Sequence, residues 1–289
     1  MTPDHQDALF AAQRNELTEH IVYGRLARSE KDPNNRKVLA RISADELRHY
    51  GVLEKLTGAK AKPHRWKIVF YYFMAKILGL TFAVKLMEAG EPMAQKNYLK
   101  LSRWAPTLKH IARDEDTHER LLINLLDEDF LKYVSSIVLG VSDALVELTG
   151  AMSGIAFALQ ANRLVALTGL VTGVAAALSM AASEYLSKRH DQDGLSPVKA
   201  SLYTGVAYLF TVGLLVFPYL ALANPFHALG WMFLNAVLVI AAFNFYLSVA
   251  LEQPFWSRFL EMAGLTAGVG VVSFGIGVLA RHALGVTVG

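Results

Sequence analysis

Beyond residue 133 the chain enters five apolar stretches, at 134–159, 164–187, 200–223, 226–250 and 261–284, and nothing else in it narrows the possible folds so far. A bilayer core is crossed by roughly 20 consecutive apolar residues of helix, and a backbone in lipid must satisfy its own hydrogen bonds. Each stretch is therefore predicted to be a spanning helix. Charge divides the chain at the same point. Residues 1–132 carry 22 Lys and Arg and 18 Asp and Glu, which leaves 6 and 7 of the chain's 28 and 25 for the remainder. Residues 1–131 are expected to form a soluble domain and residues 132–289 a membrane domain, all-α throughout.

Orientation follows from the basic residues at the span ends. Lys132, Lys188, Arg189, Lys199 and Arg258 fall on one side of the predicted spans, and Arg163, Arg281 and His282 on the other. The positive-inside rule then puts the first domain in the cytosol and the C-terminus outside. Met1 to Asp7 has neither a basic segment nor an apolar one, so no secretory signal is expected, which suits a bacterial inner membrane. A net charge of +3 without a basic-aromatic module gives no reason to expect a nucleic-acid partner.

The soluble part reads as four helices at about 6–29, 32–57, 65–98 and 104–128, punctuated by Asp32-Pro33, Thr57-Gly58, Lys62-Pro63 and Ala105-Pro106. Within the third, Ile68 to Met87 is apolar enough to imitate a span, but Lys76 and Lys85 interrupt it and a central charge in a bilayer is costly. It is expected to be a bundle helix whose aromatic residues, Trp66, Phe70 to Phe73 and Phe82, serve packing, with an exposed part available for a dimer contact. With no cysteine, thiolate sites are excluded. Two copies of Glu-x-x-His remain: Glu46 with His49, and Glu115 with His118. Three-residue spacing projects both side chains from one helical face. Glu16, with Glu19 and His20 nearby, lies on the first helix, and Glu88 and Glu91 lie on the third. One Glu from each of two helices and a Glu-x-x-His pair from each of the others is the donor set of a di-iron carboxylate bundle. Mixed carboxylate and imidazole donors suit Fe(II) and Mn(II).

On these residues, 6 to about 130 resemble a ferritin-like domain of the rubrerythrin or erythrin type. The resemblance implies a four-helix bundle holding a di-iron site, with Fe or alternatively Mn, at Glu16, Glu46, His49, Glu88, Glu115 and His118, with Glu91 as the additional carboxylate. The rubredoxin iron site of full rubrerythrins is missing. Tyr23 and Tyr98 are expected to be packed tyrosines, with a redox role beside the metals as the alternative.

In the membrane part, Asp143 and Glu147 share one face of the first span, and Met180 and Glu184 one face of the second. Acidic residues inside spans are expensive and usually functional, and carboxylate with thioether suits a transition metal. Glu184 is expected near the cytosolic boundary, where a charge is cheap. Gly140 to Leu145 together with Leu178 to Leu186 resemble the first two spans of the vacuolar iron transporter family. That resemblance implies a five-span homodimer exporting Fe(II) or Mn(II) from the cytosol in exchange for protons, with Asp143 and Met180 in the metal path. Two departures stand out. The position eight before Met180, acidic in plant members, is Thr172, leaving Glu147 to compensate. The long acidic insert between spans two and three is replaced by a short loop. Together the two resemblances imply a transporter whose N-terminal bundle senses, delivers or oxidises iron. The alternative is a membrane-anchored di-iron oxidase or peroxidase whose spans only hold it in place.

Overall fold

The computed structural model describes residues 3–88, 98, 102, 105–123, 129–191 and 194–284, and all regular structure among them is helical. The chain separates into two compact units, Met1–Glu128 and Asp129–Gly289. Each builds its own core.

The first unit contains α1 (Pro3–Ser29), α2 (Pro33–Thr57), α3 (Arg65–Ile77), α4 (Leu80–Glu88) and α5 (Leu108–Ile123). Local chemistry sets the ends of α2. The Asp32 carboxylate accepts from the backbone N–H groups of Asn34 and Asn35 at 2.8 and 2.9 Å, Pro33 occupies the first turn where no N–H is needed, and Gly58 closes the helix at φ 68°. Val22, Tyr23, Leu26, Leu39, Ile42, Val84, Met87 and Leu122 form one core cluster, and Leu9, Leu53, Tyr98, Leu108 and Ile111 a second.

The third predicted helix is not continuous. It breaks at Leu78 and Gly79, where Gly79 takes φ 94°, a conformation open to glycine at little cost. The break lets the two pieces be buried differently. In α3 only Ile68 is fully buried, whereas α4 buries Thr81, Phe82, Ala83, Val84 and Met87. The span-like composition of Ile68 to Met87 thus comes from two short helices. The rest of that prediction, residues 89–97 with Glu91, lies outside the described residues, as do residues 124–128 at the end of the fourth.

The second unit opens with one turn, α6 (Asp129–Lys132), followed by α7 (Val134–Leu159), α8 (Asn162–His190), α9 (Pro197–Ala221), α10 (Pro225–Ala250) and α11 (Phe255–Leu284). The last five are long and apolar enough to cross a membrane. Ser196 before Pro197 and Asn224 before Pro225 repeat the capping logic of Asp32-Pro33. Helix α7 packs on α8, α9 and α11. Its contact with α11 is backbone against backbone: a Cβ on Gly277 would lie 2.6 Å from the Gly154 carbonyl oxygen. Small residues let spanning helices approach this closely. The core runs through Leu145, Leu148, Met152, Tyr208, Leu215 and Met232.

Candidate metal centre

The spacing on α2 and α5 turns Glu46 and His49, and Glu115 and His118, into the interior of the first unit, where all four are buried together with Glu16 of α1. His49 Nδ1 lies 3.3 Å from each of three carboxylate oxygens, Glu16 Oε2, Glu46 Oε2 and Glu115 Oε1. His118 Nδ1 lies 3.0 Å from Glu46 Oε1 and 3.5 Å from Glu115 Oε2. One atom each from Glu16, Glu46, His49 and Glu115 fall within 4.8 Å of one another, a grouping able to hold a metal ion. The two imidazole centroids are 5.8 Å apart.

Two aspartates complete the arrangement. His49 Nε2 pairs with Asp114 Oδ2 at 3.1 Å, and His118 Nε2 with Asp45 Oδ2 at 3.2 Å. Arg48 ties them together, donating to Asp45 at 2.6 Å and to Asp114 at 2.8 Å. A carboxylate on the outer nitrogen of each imidazole orients the ring and raises its basicity as a ligand. Sequence reasoning passed over both aspartates, although each directly precedes the Glu of its Glu-x-x-His pair. It also left Glu19 among the neighbours of Glu16, whereas Glu19 lines, with Glu16, Lys67, Tyr98 and Glu115, a cavity of about 230 Å³ beside the cluster.

The electrostatics of the cluster favour binding of a cation. Burial, with Glu46 alongside, holds the Glu16 carboxyl well above the usual carboxylate range. Glu19 is raised likewise by burial and by Glu16. Burial alone would lower the pKa of His49, but its contacts with Glu115, Glu16 and Glu46 reverse this and hold it far above its ordinary value. The same opposition leaves His118 pushed up to about 10 by Glu115 and Glu46. Burial would raise Glu115, yet the two imidazoles hold it low. A single proton on His49 Nδ1 cannot serve three carboxylates, and Glu16 Oε2, Glu115 Oε2 and His118 Nδ1 remain buried without a well-formed hydrogen bond. A divalent ion would satisfy all of them. The donors present therefore fit a metal.

Two tyrosines touch expected ligands: Tyr98 donates its hydroxyl hydrogen bond to Glu16, and Tyr23 donates to Glu88. Glu88 stands outside the four-residue grouping and is close enough to Glu19 to raise its pKa. Glu91 is not among the described residues.

In the second unit Asp143 and Glu147 lie on one stripe of α7 that its neighbours cover only in part: Leu139 and Glu147 are exposed and Asp143 is half-buried. Tyr208 of α9 donates to Glu147 at 2.6 Å. Met180 of α8 packs against the apolar core. Thr172 is exposed, with its hydroxyl donating to the Thr168 carbonyl at 2.7 Å. Glu184, near the C-terminal end of α8, is buried and accepts from Ser136 of α7 at 2.6 Å. Ser136 is fixed in turn, its carbonyl accepting from Thr204 at 3.0 Å.

Comparisons with curated proteins and with solved structures gave no match. Residues 134–196, which span α7 and α8, match the model of the VIT family. With the five apolar helices, this match supports a VIT-family membrane domain in an integral membrane protein.

Proposed function

We propose that this protein exports divalent transition-metal ions, Fe(II) and also Mn(II), from the cytosol in exchange for protons, and that its N-terminal unit is a ferritin-like, di-metal-binding domain serving that transport. The observation that carries the reading is the stripe of α7. An acidic residue at the centre of a spanning helix costs about 2.5–3.5 kcal/mol, and here Asp143 and Glu147 sit four residues apart on the partly covered side of a helix inside the VIT-matched segment. A second copy of the chain facing that stripe would enclose the exposed Glu147 and the half-buried Asp143 in a polar path, so the transporting form is a homodimer. Asp143 and Glu147 bind the cation and exchange it for protons, Met180 adds a soft donor, and Glu184 with Ser136 borders the path.

In the N-terminal unit Glu16, Glu46, His49, Glu115 and His118 would hold the resident metal, with Glu88 and Glu91 as further carboxylates. Bound there, an iron pair supplies redox chemistry; the residues themselves bind, orient and exclude water. Sensing or delivery fits better than bulk oxidation, since an Fe(III) product does not suit a divalent path. The competing reading, a membrane-anchored oxidase, draws on the Tyr98 and Tyr23 hydroxyls set against Glu16 and Glu88. It leaves the α7 stripe without a role. Proteoliposomes with an imposed pH gradient test the proposal: Fe(II) and Mn(II) flux is expected, and Asp143→Ala abolishes it. Absence of flux, or flux indifferent to Asp143→Ala, would overturn it, and Glu115→Ala alongside separates transport from the bundle's own contribution.

A further inference from the structure

Helix α3 carries a surface that the metal centre does not use. Its inner side, Ile68 with Tyr71, Tyr72 and Ala75, packs into the core of the first unit. Its outer side presents Trp66, Val69, Phe70, Phe73 and Ile77 at helical spacing, each between 39% and 65% exposed. Single exposed apolar residues are ordinary, but five large ones in a row along one helix mark a contact surface. The row is bounded by exposed cations, Lys62 and Arg65 at its start and Lys76 at its end. From Lys55 to Lys85 the chain has seven basic residues and no acidic one.

We propose that this face of α3 docks on an anionic phospholipid surface, the helix lying in the plane of the bilayer. A row of Trp, Phe and aliphatic side chains flanked by Lys and Arg is the composition that buries its apolar side at the headgroup boundary while the cations reach lipid phosphates. Trp66 is suited to that boundary, and the Lys76 ammonium, 5.6 Å over the Tyr72 ring, has a stem long enough to extend to it. Charge decides against a second copy of the chain as the occupant. Antiparallel packing of α3 on its copy would bring Lys62 and Arg65 against Lys76, and parallel packing would bring like ends together. Either puts cation on cation, which disfavours self-association. An anionic surface satisfies all of them. The chain itself leads to a bilayer, because the first helix long and apolar enough to span one begins at Val134.

The chain has no cysteine, so single labels can be placed cleanly. Full-length protein carrying Val69→Cys or Phe73→Cys, both exposed positions, is labelled with bimane and reconstituted in nanodiscs; Arg41→Cys, exposed on α2, serves as the reference. In discs containing phosphatidylglycerol, labels at 69 and 73 are expected to be quenched by nitroxide-bearing lipid and shielded from iodide, while the label at 41 is not. Each cation near an anionic surface contributes roughly a fivefold gain in surface partitioning. Reversing Lys62, Arg65 and Lys76 to Glu, or using phosphatidylcholine alone, should therefore return the labels to water. Iodide-accessible labels in anionic discs would overturn the proposal. So would labels shielded from iodide but untouched by lipid nitroxide, the signature of a protein partner or a second copy.

Discussion

Asp45 and His118 lie 73 residues apart in the chain and 3.2 Å apart in the fold, and the reciprocal pair, Asp114 and His49, meets at 3.1 Å. Each Asp-Glu-x-x-His segment thus turns its Glu and His into the buried cluster and sets its Asp against the other segment's imidazole. Loss of such a supporting carboxylate typically costs 10–100-fold in metal affinity. Asp45→Asn and Asp114→Asn are each expected to weaken Mn(II) binding by roughly 10–100-fold, measured by chelator competition, with near-native helicity by circular dichroism.

Metal binding should strengthen as pH rises. In the metal-free protein Glu16 and both histidines have raised pKa values, so protons occupy the site and a cation must displace them. The stability linkage has a definite sign. A histidine with a raised folded pKa stabilises the fold fully below its unfolded value of about 6.5, and that contribution is lost as pH climbs through the folded value, about 10 for His118. The metal-free protein therefore loses stability across this window while the loaded one does not. The Mn(II)-induced rise in the unfolding midpoint is expected to be larger at pH 8 than at pH 6.

Tyr208→Phe isolates one hydrogen bond in the membrane unit. The tyrosine is fully buried, so phenylalanine keeps its packing, while Glu147 loses a donor at 2.6 Å. Flux in proteoliposomes is expected to fall severalfold and to change its pH dependence, with unfolding in detergent nearly unaltered. Glu147→Ala should fall further.

Close packing of α7 and α11 has its own test. A Cβ on Gly277 would stand 2.6 Å from a backbone oxygen, and overpacking of this kind costs about 1–3 kcal/mol. Gly277→Ala should lower the unfolding midpoint in detergent. Gly213→Ala on α9 should not, because nothing lies within 4 Å of its added Cβ.

The membrane helices were legible in the sequence because length and apolarity are the quantities a bilayer selects: the predicted first span, 134–159, coincides with α7. The Glu46 and His49 grouping with Glu115 and His118 was legible because three-residue spacing on a helix is itself a geometric statement. Partners across helices were not. Nothing in residues 45 or 114 says which imidazole each will face, since that depends on how α2 lies against α5. The break at Gly79 was masked by an apolar run that continues on both sides of it. The Ser136 partner of Glu184 was hidden as the partners of residues 45 and 114 were, since it depends on how α7 lies against α8.

The partly covered stripe on α7 also bears on how the chain enters the membrane. Of the five candidate spans α7 is the least apolar, and half of its most apolar window is buried inside the unit, the largest share of the five. With Asp143 and Glu147 it partitions into lipid less readily than the helices that follow. Helix α8 is more apolar and joined to it by only two residues, Gln160 and Ala161. If the pair inserts as a helical hairpin, truncation before α8 should leave α7 at the membrane surface.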